Sequence, residues 1–189
     1  MSDAPRKTAG RERLVKTARE LFTSRGAANV GINEVTDVAG VARMTLYNNF
    51  PSKEALTVAV YEEMAGAALR MLEELGDSDL TEEDRIVAIF DHFARSTRRP
   101  DYRGCPFIHA SLQEAEPSGP IFGIVHEYKR ALRQQIFDLL DAERGNRAGL
   151  ADQLVLLLDG AVTEAYIRGV EDPLSAARNA ARTLLAAAR

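Results

Sequence analysis

The stretch VARMTLYNNFPSKEAL, Val41 to Leu56, holds the side chains best suited to meeting an anionic, hydrogen-bonding partner. Arg43 and Lys53 supply cations, and Met44, Thr45, Tyr47, Asn48 and Asn49 offer tips toward bases and phosphates. Val41, Leu46, Phe50 and Leu56 are spaced to anchor the other side. Lys53 falls in the first turn of a helix, where a cation opposes the helix dipole. A residue that breaks a local rule is a functional candidate. A phosphate there would be held by free amides, dipole and ammonium together. Arg43 can read guanine through O6 and N7 or grip a phosphate, and both readings stand. The plain alternatives are a solvated lysine and a tyrosine packed as core.

Other chemistry is thin. His92, His109 and His126 fall on separate elements, with no Cys or carboxylate at ligand spacing, so no metal is expected. Cys105 has Arg98, Arg99 and Arg103 nearby, which would lower a thiol pKa. It is read either as a redox or alkylation sensor or as a buried, inert thiol. No Ser-His-Asp, paired-carboxylate or phosphate-loop pattern occurs, so neither enzymatic activity nor a cofactor is expected.

The stretch must be positioned by helices. The chain of 189 residues is 46% apolar with 6% aromatics and no Trp, and no alternating run suggests a strand. Spacing and turn signals predict about nine helices. They fall near 8–24, 32–38, 42–48, 53–75, 81–98, 105–116, 120–143, 149–169 and 173–188. Leu14, Ala18, Leu21 and Phe22 recur at helical spacing, Gly26 and Gly40 break the chain, and Ser52 is placed to cap the fourth helix. On the second helix Ile32, Val35 and either Val38 or Ala39 face inward. Two short helices packed on a first make a helix-turn-helix, whose second short helix enters the major groove of DNA. The domain reading is therefore a DNA-binding domain over 1–52, a connecting fourth helix over 53–75, and a helical domain over 76–189. Charge agrees: through Lys53 nine basic and five acidic residues leave +4, and the remainder carries −8. A single cysteine, a polar N-terminus and no apolar stretch longer than Leu154–Leu158 suggest a cytoplasmic protein that does not engage a membrane.

From the Arg25-Gly26 end of the first helix, through Ala39-Gly40-Val41 and Thr45-Leu46-Tyr47, to Phe50 and Ser52-Lys53-Glu54-Ala55-Leu56, the chain resembles the TetR family of bacterial transcriptional regulators. The resemblance covers about residues 8 to 63. A weaker one to a subgroup lies in Arg103-Gly104-Cys105-Pro106-Phe107 and Asp159-Gly160-Ala161. It implies an all-helical homodimer with a DNA-binding head and a C-terminal domain holding a small-molecule effector. Asn33, Arg43, Met44 and Thr45 then match positions that approach bases or nearby phosphates. Tyr47, Asn49 and Lys53 match phosphate-contacting positions. The sequence departs at Ala42, where a capping Ser or Thr is usual and about 1 kcal/mol of capping is lost. It departs again at Val30-Gly31, where Thr is usual. The rival reading is a helical ligand-binding or adaptor protein without specific DNA binding.

On this plan double-stranded DNA is contacted at a palindromic operator, one helix per subunit. The dimer interface is expected on the last two helices, through Leu154, Leu158, Ala161, Ala177, Ala181 and Leu184. The effector is expected among Phe90, Phe93, Phe107, His109, Leu112, Val125 and Tyr128, with Tyr128 and His109 orienting it. Because no acidic or basic cluster is read on these inward faces, an apolar or aromatic ligand is expected.

Overall fold

A computed structural model describes residues 4–114, 118–169 and 172–188, and every regular element among them is helical. The helices are α1 (Ala4–Arg25), α2 (Ile32–Ala39), α3 (Arg43–Asn49), α4 (Lys53–Gly76), α5 (Glu82–Thr97), α6 (Pro106–Gln113), α7 (Pro120–Leu139), α8 (Arg147–Arg168) and α9 (Pro173–Ala187). A 3-10 turn, Ala27–Asn29, follows α1. No helix among the described residues is long and apolar enough to cross a membrane.

The chain forms two compact units. One holds residues up to Ala65 with Pro106–Val125; the other holds Gly66–Cys105 with residues from His126 onward. This division differs from a boundary near residue 76, since α4 contributes to both and α6 belongs with the N-terminal unit.

In the first unit, Leu14, Val15, Ala18 and Phe22 of α1 meet Val35, Leu46, Phe50, Leu56 and Val60 in one buried cluster. Ala39 packs against it, whereas Val38 is 61% exposed, which resolves the choice between them. Ser52 caps α4 as expected, its Oγ accepting from the Ala55 N–H at 3.0 Å. Helix α1 starts at Ala4, earlier than the expected Thr8. The α6 reading to residue 116 runs past Gln113 into 115–117, outside the described residues.

In the second unit α5, α8 and α9 pack on one another around Ile86, Ile89, Phe90, Leu154, Leu158, Ala181 and Leu185. Thr81 caps α5 and Asn146 caps α8, each accepting a backbone N–H at 3.2 Å. Helix α7 ends at Leu139 rather than near 143. The reason is tertiary: the Asp141 N–H donates to Glu82 at 2.8 Å, and Arg144 reaches Glu82 at 2.6 Å and the Leu185 carbonyl at 2.8 Å. The Arg144 and Glu82 side chains are only 7% and 9% exposed. Burial alone would raise the Glu82 pKa, but the bonds from Arg144 and the Asp141 N–H, with the Arg144 charge, hold it below the ordinary value.

Most of the individual residues expected at a dimer interface on the last two helices are placed inward instead. Leu154, Leu158, Ala161, Ala177 and Ala181 are buried within this single chain, and Leu184 is half-buried. Their faces are satisfied by the packing of α8, α9 and α5. Helix α8 is apolar on two sides, and its outward side, Leu156, Gly160, Thr163 and Ile167, stays exposed. Leu156 and Ile167 are 72% and 68% exposed.

Candidate nucleic-acid interface

The exposed face of α3 is built by its neighbours. Gly40 takes the left-handed conformation (φ 62°, ψ 40°), which a β-carbon would oppose, and ends α2. The Val41 N–H then donates to the Thr36 carbonyl at 3.1 Å, folding the turn tightly. Residue Ala42 precedes α3 with no side-chain cap, in keeping with its missing hydroxyl. In the middle of α3 Leu46 is fully buried, and Phe50 just after it is nearly so. Arg43, Met44, Tyr47 and Asn48 are consequently turned outward.

Two residues assigned to contact are placed differently. Thr45 is half-buried, its methyl turned toward Gly10 of α1, where a β-carbon would come within 3.0 Å. Asn49 donates its side-chain amide to the Thr45 carbonyl at 2.7 Å and so fastens the last turn of α3. Asn33 on α2 is exposed. Lys53 is half-buried at the first position of α4. Because Ser52 occupies the amides of Ala55 and Leu56, those of Lys53 and Glu54 face no acceptor among the described residues.

Further side chains hold this surface. Arg25 pairs with Glu34 across the α1–α2 corner. The Arg11 guanidinium lies 5.2 Å from the centroid of the Phe50 ring, tying α1 to the end of α3. Gly10 was missed as a positioning residue. Its signal is a glycine inside a helical pattern, where alanine would favour the helix by about 1 kcal/mol.

The effector residues separate into the two units. Phe107, Val125 and Tyr128 are buried, and His109 is half-buried. Phe107 meets Tyr61 edge to face at 5.9 Å in the first unit. Phe90, Phe93 and Tyr128 belong to the second, Phe93 half-buried beside His92. Leu112 is 79% exposed and does not face inward: α6 is a short helix that buries Phe107 and Ala110, and Leu112 points away from that face. One mixed-charge pair lies beside these residues, although no acidic or basic cluster was expected on their inward faces. Lys129 and Asp159 form an ion pair with side chains 22% and 29% exposed, beside Tyr128. Burial, then Cys105 and Asp159, push the Tyr128 hydroxyl pKa well up, so it stays protonated.

Residues 14–60 match the family model described as bacterial regulatory proteins, tetR family. An HTH-type transcriptional regulator of Mycobacterium tuberculosis strain H37Rv is 35% identical over 79 residues, 41% of this chain and 39% of that protein. The HTH-type transcriptional repressor NemR of Escherichia coli K12 is 36% identical over 81 residues, 42% of this chain and 41% of that one. These sequence matches thus span about two fifths of each relative. Across 96% of both chains, the fold is similar to that of SCO4454, a TetR-family transcriptional regulator from Streptomyces coelicolor, with a TM-score of 0.87 and 24% identity.

Proposed function

We propose that this chain, which belongs to the TetR family of bacterial transcriptional regulators, is a homodimeric repressor released from a palindromic operator by a small effector. That it is a DNA-binding transcriptional regulator, and not an enzyme, is its family character. The observation carrying the finer reading is α3, held by buried Leu46 and Phe50 with Arg43, Met44, Tyr47 and Asn48 outward.

Each α3 lies in a major groove, with Arg43 and Met44 of its first turn at base edges. Tyr47, Asn33 and Lys53 grip phosphates, Lys53 together with the open amides of α4. Thr45 and Asn49 act by seating the helix. Repression is supported by the likeness to NemR, a named repressor. Dimers form through the outward side of α8, Leu156 to Ile167, with Leu184 of α9 at the margin. An apolar face of this kind is covered by a like face in a two-fold pair.

The effector is mostly apolar with one polar end, held by Phe90, Phe93 and Tyr128, with the Lys129–Asp159 pair meeting the polar end. It acts by preferring a conformation in which operator binding is weaker. The test is a gel-shift assay with promoter fragments from the protein's own genomic neighbourhood. Salt-sensitive binding to one fragment, with a symmetric footprint, is expected. Binding of all fragments alike would overturn the operator reading.

A further inference from the structure

A groove of about 550 Å³ in the second unit, outside the α5–α7 aromatics, is lined by Arg98, Arg99, Pro100, Tyr102, Arg103 and Tyr166, among others. Its size suits a small metabolite. Its floor is fixed, because the Tyr102 hydroxyl donates to the Val162 carbonyl of α8 at 2.8 Å.

The charge here runs against the rest of the chain beyond Lys53, which carries −8. Three arginines fall within one short loop after α5. Among the described residues, the acidic side chains nearest them are engaged as follows. Asp101 takes Arg99 in a two-point contact at 2.9 and 3.1 Å. Asp172, which also lines the groove, accepts the Ser175 N–H on one carboxylate oxygen at 3.1 Å, capping α9. Among the described residues Arg103 makes one hydrogen bond, to the neighbouring Tyr102 carbonyl at 3.1 Å, while its charge also acts on Asp101, and Arg98 has no hydrogen-bond or ion-pair partner. Two guanidiniums therefore line one concavity with most of their donors unspent. The planar guanidinium fork matches carboxylate and phosphate oxygens. The rings of Tyr102 and Tyr166 and the face of Pro100 add apolar wall beside that charge.

We propose that this groove binds a small organic oxyanion, a carboxylate or phosphate monoester carried on a ring, through Arg98 and Arg103. It is a second ligand site, apart from the effector residues and the α3 face. A bound anion would join the loop after α5 to the last turn of α8.

Isothermal titration of the full chain with benzoate, phenyl phosphate and inorganic phosphate tests it. Saturable binding of one aryl probe is expected, the better of the two naming the head group. The Arg98→Gln/Arg103→Gln double variant should lose at least about tenfold in that affinity. Arg130→Gln, which removes an exposed arginine already paired with Glu127, should leave it unchanged. No saturable binding of either aryl probe, or equal affinity in the double variant, overturns the site. Inorganic phosphate binding as tightly as phenyl phosphate overturns the ring. Unchanged probe binding with weakened promoter binding would assign these arginines to DNA instead and overturn the proposal.

Discussion

The outer faces of α3 and α8 are both exposed, and they are built on opposite plans. Helix α3 has one buried anchor, Leu46, and surrounds its exposed side with a cation, a phenol and an amide. Helix α8 buries Leu154, Leu158 and Ala161 on one side and still exposes Leu156 and Ile167 on the other. A polar face gains by meeting phosphates and base edges, where its hydrogen bonds are replaced. An apolar face gains only by leaving water, at roughly 25 cal/mol per Å². Exposure alone therefore does not name a partner; the chemistry of the exposed side does.

The comparison breaks first at α8. Leu158→Asp buries an unpaired charge and should cost more than about 4 kcal/mol in urea unfolding. Leu156→Asp should leave each chain folded while light scattering reports a monomer. Equal unfolding of both variants would show that the two sides of α8 do not differ.

Next is the buried pair beside it. Glu82→Gln should cost about 3 kcal/mol, because Arg144 is left charged and buried. Since the folded carboxyl is depressed, its stabilisation is present above the ordinary glutamate pKa and is lost as pH falls through the lower folded value. The gap between wild type and variant should close on acidification below about pH 4. A gap that persists at lower pH would contradict the pairing.

At α3 the effects turn from stability to recognition. Arg43→Ala should cost about 1–3 kcal/mol and relax preference at one base pair. Lys53→Ala should weaken all sequences alike and lower the salt slope by about one. Unchanged base preference in the Arg43 variant would move that residue to the phosphates. The smallest effect belongs to Gly10→Ala. Its β-carbon would press on Thr45 at 3.0 Å, while alanine favours α1 by about 1 kcal/mol. Unfolding stability should change by less than about 1 kcal/mol while operator affinity falls. Unchanged affinity would show that Thr45 yields freely.

Much of the head was legible in the sequence, because its signals are local. Leu46 and Phe50 flank polar tips, Gly40 sits where only a left-handed residue fits, and Ser52 stands where the α4 amides need an acceptor. The misplacements share a cause: they depend on partners distant in sequence. Thr45 turns inward because Gly10 leaves space for its methyl. Helix α7 stops early because Arg144 reaches Glu82. The Lys129–Asp159 pair joins two helices that periodicity treats separately. On α8 apolar residues lie all round, so their spacing carries no direction, and the side covered by α9 and α5 was mistaken for the side left open.

The missing cap at Ala42 has a consequence for how α3 moves. Its last turn is fastened by Asn49 on the Thr45 carbonyl, whereas its first turn has no side chain closing it. Local opening should therefore run from the front of the helix, and amide hydrogen exchange at Arg43 and Met44 should outpace that at Tyr47 to Asn49. If α3 meets base edges as proposed, its contacting end is the pliant end, while the rear turn keeps the helix in register.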